Sequence, residues 1–287
     1  MSDIKNISLH VPRSWQELTQ PQLMYVLELV ADGSFSANEI KAYCLLRFNA
    51  LRVVSQFEDP EAGTPGQMLV EMEQTEPTEL SSHCPSADGE HISVARRRRK
   101  TADNRFLVAP EHIAAALTFL DWIDMPPAMP VRLDSIYYQG HDYAAPNADF
   151  SDVPYRDYLI ADNLFTGYLH TKRADLLDQL TALLYRVPEA KQPFDPYIRY
   201  NSFMWFAGLK KQLQSRFTDL FTVTTEDKST DSLFKQLTEG TDAQIRALTG
   251  GDITKEPQVL DTDTIRALTE LNAKAREIRQ AQSANLG

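Results

Sequence analysis

Apolar residues spaced three and four positions apart run through most of this chain and predict a mainly α-helical protein. The first such pattern follows Ser14, and Glu17 three residues later gives this start the spacing of a capping box. The second pattern has Ser36 and Glu39 in the same two positions, and Gly33 between the patterns predicts the end of the first helix. We therefore expect two amphipathic helices packed against each other as a hairpin.

Helical spacing returns in the second half of the chain, where three long patterns have Asp or Ser near their starts. The stretches are SDVPYRDYLIADNLFTGYLHT, KRADLLDQLTALLYRV and FDPYIRYNSFMWFAGLKKQLQSRFTDLF. They predict three helices that bury a common core. Shorter helices follow at 229–249, where Gly250 and Gly251 predict a C-terminal stop. A mostly polar helix from about Thr262 to Gln282 completes the pattern.

Alternating apolar residues predict a small β-hairpin between the helical regions. Ile92 and Val94 precede a basic run, residues 106–108 follow it, and the Asp-Asn pair at 103–104 supplies a turn. Upstream, the segment 58–90 is rich in Pro, Gly, Ser, Thr and acidic residues, which predicts a loop-rich insertion. Within that insertion the stretch QMLVEME has the pattern of a strand.

Together these patterns predict an α+β protein that is mainly α with a small β-hairpin element. The expected architecture is a helical bundle with a helical C-terminal extension. Residues 126–150 contain several prolines and the aromatic stretch YYQGHDY, which indicate an extended connection and the best internal boundary. The predicted division is an N-terminal helical portion with the β-hairpin at 1–128, a central helical bundle at 129–225 and the extension at 226–287.

Composition and charge narrow the range of functions. The formal net charge is −11 and the sequence pI is near 5.0, so the average electrostatic field disfavours a general polyanion binder. The two cysteines, Cys44 and Cys84, do not make a disulfide framework and fit a reducing, cytoplasmic setting. No signal-peptide pattern opens the sequence, and no run of about 18 apolar residues predicts a membrane span.

The basic run Arg96, Arg97, Arg98, Arg99 and Lys100 is the one stretch suited to contacting phosphate groups. In a strand, successive side chains point to opposite faces, so only two or three of these cations would share a surface. No aromatic residues are interleaved for base stacking. We interpret the run as a solvated edge strand whose charges discourage pairing with other strands, and we keep nucleic-acid contact as the alternative.

The candidate catalytic and metal-binding residues do not form a recognised arrangement. His83, Cys84, Glu90 and His91 cluster in HCPSADGEH but lack the Cys-x-x-Cys or His-x-x-x-His spacing of a metal site. Cys44 falls on an apolar helical face, where a buried thiol is usual. The sequence also lacks a nucleophile elbow, a Walker loop and a dinucleotide-binding fingerprint. We therefore predict a non-enzymatic protein without cofactor or metal, and keep an enzyme with an unrecognised site as an alternative.

A narrow apolar stripe on the last helix and a group of tyrosines are the candidate partner-binding surfaces. A stripe of this width between charged residues docks either on the protein's own body or on a partner chain, and the pattern leaves both open. Tyrosine is favoured in interface hot spots, although it also fills protein cores. The predicted partner-binding residues are Ile265, Leu268, Leu271 and Ile278, with Tyr137, Tyr138 and Tyr143 as second choice.

The stretches SWQELTQPQL, RFLVAPEHIAAALTFLDWID and LTGGDITKEPQVL, followed by a polar terminal helix, resemble uncharacterised proteins encoded in phage and prophage-like regions of gut Bacteroidota. The resemblance spans most of the chain, rests on helix caps and hydrophobic pattern, and carries over no catalytic residue. It implies an accessory or structural role in virion or tail assembly, with phage structural or assembly proteins as partners. The implied location is the bacterial host cytoplasm or the virion.

Overall fold

Helices make up most of the chain that the structure describes, a computed structural model covering residues 9–58, 65–72, 105–108, 110–221 and 233–285. Nine α-helices and five β-strands lie within these residues, which confirms the prediction of a mainly α protein with a small β element. The helices are α1 (Gln20–Asp32), α2 (Ala37–Phe48), α3 (Pro110–Thr118), α4 (Tyr155–Thr171), α5 (Ala174–Leu184), α6 (Pro196–Arg216), α7 (Leu233–Thr249), α8 (Glu256–Leu260) and α9 (Thr264–Asn285). The strands are β1 (Leu51–Glu58), β2 (Pro65–Met72), β3 (Arg105–Val108), β4 (Ser135–Tyr138) and β5 (His141–Ala144).

Contacts within the chain divide it into two units, neither of which is a continuous stretch of sequence. The smaller unit comprises Met1–Arg13 and Ser36–Asp121, and the larger comprises Ser14–Phe35 and Trp122–Gly287. α1 therefore belongs to the larger unit and α2 to the smaller one, contrary to the prediction that these two helices form one hairpin. The predicted division into three consecutive segments, 1–128, 129–225 and 226–287, stays a prediction.

The first helix begins later than its sequence pattern indicated. Trp15–Glu17 form a short 3-10 helix, and the Ser14 side chain makes no capping hydrogen bond. α1 begins after Thr19, whose backbone N donates to Gln22 Oε1 over 3.0 Å. Pro21 explains the shift, because proline is tolerated in the first turn of a helix but would break a helix that had begun at Ser14.

In the smaller unit, α2 contacts α3 and β1, and α3 contacts β2. The predicted capping box at the start of α2 is confirmed. Glu39 N donates to Ser36 Oγ over 3.3 Å, and Ser36 N donates in return to Glu39 Oε2 over 2.8 Å. These two bonds satisfy backbone donors that the first turn of a helix otherwise leaves without partners.

The sheet of the smaller unit is antiparallel with the order β1-β2-β3. It confirms the strand predicted in QMLVEME as part of β2 and the strand predicted at 106–108 as part of β3. Val70 of β2 lies opposite Phe106 of β3, and Val70 is buried with Leu51 and Val108 in the core of this unit. The predicted partner strand around residues 92–94 and the turn at 103–104 lie outside the described residues.

In the larger unit, the three helices predicted to share a core do so. α5 contacts both α4 and α6, and the ring of Phe165 on α4 lies 5.3 Å from that of Phe206 on α6. α6 also contacts α1 and is buried along most of its length. Its buried residues are Ile198, Asn201, Ser202, Met204, Trp205, Phe206, Gly208, Leu209 and Leu213.

Gly208 allows the chain at residues 129–130 to lie directly on α6. A Cβ atom at this position would be 2.6 Å from the carbonyl oxygen of Met129 and 3.1 Å from Cα of Pro130. Both neighbours are backbone atoms, which cannot swing away as the end of a flexible side chain can. The connection after residue 125 is therefore packed against the core at this glycine.

Residues 126–150, predicted as an extended connection, contain the hairpin of β4 and β5. Tyr138 pairs with His141 next to the turn, and Ile136 pairs with Tyr143. The turn residues Gln139 and Gly140 both have positive φ, at 48° and 87°. This is the backbone signature of a type I′ turn, which the Gln-Gly pair marks less clearly than Asn-Gly or Asp-Gly would.

The predicted stop at Gly250 and Gly251 is confirmed, since both glycines have positive φ directly after α7. α9 is then fixed to the start of α4 by hydrogen bonds to backbone carbonyl groups. Thr264 N and Thr264 Oγ1 both donate to the carbonyl oxygen of Val153, over 3.0 and 2.7 Å. Tyr155 N donates to the carbonyl oxygen of Thr262 over 2.8 Å. The beginning of the last helix is thus part of the larger unit's core structure.

Candidate interaction surface

The predicted apolar stripe of α9 is divided between the core and the surface. Leu268 and Leu271 are 1% and 4% exposed, with α9 contacting α4 and α7. This corrects their assignment to partner binding, because both side chains are already covered by the protein itself. Ile265 is half-buried, whereas Ile278 is 60% exposed. Of the two alternatives that the sequence left open, docking on the protein's own body therefore holds for the first half of α9.

The second half of α9 contacts the body through polar groups. Asp219, three residues after α6, accepts from Arg276 Nε and from Arg279 Nη1, both over 2.9 Å. Arg279 Nη2 also donates to the carbonyl oxygen of Asp219 over 2.8 Å. Next to it, Leu220 N donates to Asn272 Oδ1 over 3.0 Å. Three charge-assisted hydrogen bonds from arginines and one hydrogen bond between neutral groups thus connect the segment after α6 to α9.

Asp219 has no local sequence signal as a contact residue, because its partners lie nearly 60 residues further along the chain. The signal on α9 itself was a pair of arginines three positions apart, which places both side chains on one face of the helix. Nothing in the sequence around Asp219 marks it as their partner among the many carboxylates of an acidic chain.

The three predicted tyrosines have different environments. Tyr138 is buried, with its hydroxyl donating to the carbonyl oxygen of Gln192 over 2.6 Å and its ring 4.3 Å from that of Phe194. This corrects its assignment to partner binding, because the residue anchors the β4–β5 hairpin. Tyr143 is half-buried, and Tyr137 is 67% exposed. Tyr137 is therefore the tyrosine of this group that a partner can reach most readily.

The remaining predicted contact residues, Arg96, Arg97, Arg98, Arg99 and Lys100, lie outside the described residues. So do His83, Cys84, Glu90 and His91, the cluster that superficially resembled a metal site. Within the described ranges, no group of three or more His, Cys, Asp or Glu side chains is placed to hold a metal ion.

Cys44 is a buried thiol, as its position on an apolar helical face predicted. The side chain is fully buried in the smaller unit. Burial raises the pKa of this thiol to about 12, because the thiolate would have to lie in apolar surroundings. The thiol is therefore protonated at neutral pH, which suits a core residue and not a nucleophile.

Burial also accounts for the perturbed tyrosines of the larger unit. It raises the pKa of both Tyr155 and Tyr158, and the nearby Asp162 carboxylate raises them further. Asp162 itself forms an ion pair with Lys210 of α6, and the Tyr155 hydroxyl donates to Gln244 of α7. These contacts join α4 to its neighbouring helices.

The cavities in the described parts of the chain include one in each unit. One is an apolar space of about 60 Å³ in the core of the smaller unit, lined by Leu9, Ala42, Leu45, Leu46, Leu51, Val70, Val108 and Ile113. The other is an open groove of about 390 Å³ between the end of α7 and the start of α8. Asp242, Arg246 and Glu256 are its charged lining residues, and Ile253 is its most exposed apolar one.

No helix among the described residues has the length and apolar character needed to cross a membrane. The chain matches no protein-family model, and comparisons with curated proteins and with solved structures find no significant match.

Proposed function

We propose that this protein is a non-enzymatic protein–protein interaction factor, and that the exposed end of α9 is its principal contact surface. The observation that supports the proposal is the continuation of one apolar stripe from the core to the surface. Leu268, Leu271, Ala275 and Ile278 follow one another at helical spacing, and exposure rises from the first to the last. A partner that packed beside α9 would extend an interface the helix already makes with its own body.

In this mechanism, Ile278 supplies the apolar contact and the charged residues around it set specificity and association rate. Tyr137 on β4 is the second candidate contact, since an exposed tyrosine provides apolar area together with a hydrogen-bonding hydroxyl. The resemblance to phage-encoded proteins suggests phage structural or assembly proteins as partners, in virion or tail assembly. We accordingly propose the host cytoplasm or the virion as its location.

The test is affinity capture by the full-length tagged protein from a nuclease-treated lysate of the organism or phage producer that encodes it, washed at low and high salt. The wild type is compared with Ile278→Glu, which puts a charge on the proposed contact. Ile253→Glu is the matched control, because Ile253 is another highly exposed isoleucine of the same unit. Each captured protein is then purified, and its affinity for all three versions is measured.

A partner that binds through α9 should remain bound at high salt and should bind Ile253→Glu with wild-type affinity. It should bind Ile278→Glu at least tenfold more weakly, which is on the order of the loss caused by removing one apolar hot-spot residue. Equal binding of both variants would refute the assignment of Ile278. Capture of nucleic acid without nuclease treatment, lost at high salt, would instead favour contact through Arg96–Lys100 and argue against the proposal.

A further inference from the structure

The two halves of α9 are held to the larger unit by different kinds of interaction. The first half contributes the buried residues Thr264, Ala267, Leu268 and Leu271, and is bonded to Val153 at its start. From Ala273 to the end of the helix, every described side chain is half-buried or exposed. Apolar burial does not depend on ionic contacts, whereas charge pairs at a surface are weakened by salt.

Asp219 binds two side chains of the second half of α9, while Lys274 Nζ donates separately to the carbonyl oxygen of Ala247 on α7 over 2.7 Å. The Asp219 side chain is 16% exposed, so its carboxylate is partly shielded from water. It binds Arg276 and Arg279, one turn apart, and the adjacent Leu220 N binds Asn272 one turn earlier. Two neighbouring residues, Asp219 and Leu220, therefore form hydrogen bonds with residues on two successive turns of α9.

We propose that residues 272–285 of α9 form a strap, which Asp219 holds against the segment that follows α6. The strap opens while the first half of the helix stays docked. The opening is a local transition of the kind that leaves the rest of a protein folded. It moves Ile278 and two arginines away from the body together. The device is a property of this chain alone and does not depend on the proposed function.

The strap is tested by hydrogen–deuterium exchange of the full-length protein, read by mass spectrometry over residues 264–285. Asp219→Asn keeps the size of the side chain and removes its charge. Exchange of the amides at 276–285 should accelerate by roughly threefold to tenfold, the range expected from losing two partly exposed ion pairs. Exchange at 265–271 should stay at the wild-type rate. Salt at about 1 M should bring the wild type to the rate of the variant.

Asp175→Asn is the matched control, because it removes the carboxylate of another Asp–Arg pair, with Arg173, at the start of α5. It should leave exchange in α9 unchanged. Arg276→Gln combined with Arg279→Gln leaves Asp219 intact and should reproduce the Asp219→Asn result, which keeps the test informative if that variant folds poorly. Unchanged exchange at 276–285 in both would overturn the proposal. Equal acceleration at 265–271 would overturn it as well, because α9 would then open as one piece.

Discussion

α6 and α9 are almost equal in length, with 21 and 22 residues, yet they have opposite relations to the core. α6 is buried along most of its length, and its one glycine admits another segment of backbone. α9 is buried on one side at its beginning and is exposed at its end. A helix that is apolar on several faces is buried at the centre of a unit. A helix with a narrow apolar stripe lies at the surface, where its exposed part is available for other contacts.

The largest expected effect on stability distinguishes the two halves of α9 itself. Leu268→Ala should lower the free energy of unfolding by about 2–5 kcal/mol, because it opens a cavity in the core. Ile278→Ala on the same stripe should change it by less than about 0.5 kcal/mol, because that side chain is mainly in water. Urea denaturation followed by circular dichroism measures both. Similar losses for the two variants would mean that the halves of α9 are not distinct.

A smaller effect is expected at the glycine of α6. Gly208→Ala should lower the free energy of unfolding by about 1–3 kcal/mol, since the new methyl group would meet the backbone of Met129. Gly240→Ala on α7 is the control, because a Cβ there meets no atom within 4 Å. It should raise stability by up to about 1 kcal/mol through helix propensity. A neutral Gly208→Ala would contradict the close approach of residues 129–130.

The smallest effect concerns the ion pairs of the strap. A double-mutant cycle with Asp219→Asn and Arg276→Gln should give a coupling energy of about 0.2–1 kcal/mol, typical of partly exposed pairs. The coupling should shrink at about 1 M salt, where the Debye length falls to roughly 3 Å. Thermal or urea unfolding of the four proteins at both salt concentrations provides the measurement. A coupling that is absent at low salt would show that these two side chains do not attract each other.

Local signals in the sequence were sufficient for most of the helices. The capping box at Ser36 and the stop at Gly250 depend on residues within one turn, and both are confirmed. The predicted helix start at Ser14 was wrong because Pro21 would then lie in the interior of the helix, where proline is not tolerated. The β4–β5 hairpin was missed because prolines and a Gln-Gly turn obscured two four-residue strands.

The candidate site was less predictable because it depends on contacts between distant parts of the chain. Periodicity identified the α9 stripe, but which turns of the stripe are covered depends on α4 and α7. Tyr137 and Tyr138 are adjacent in sequence, but one is exposed and the other buried because they lie on opposite faces of β4. That strand had not been predicted. The partnership of Asp219 with Arg276 and Arg279 is visible only once the helices are placed.

The interleaving of the two units has a consequence for synthesis of the protein. α1 ends at Asp32, and α6, on which it packs, begins at Pro196. A ribosome adding about 5–20 residues per second needs roughly 8–30 s to make the chain between them. Throughout that interval the apolar face of Leu23, Val26 and Leu27 has no α6 to cover it. α1 is therefore synthesised well before the helix that covers its apolar face, and it can reach its final packing only after α6 has been made.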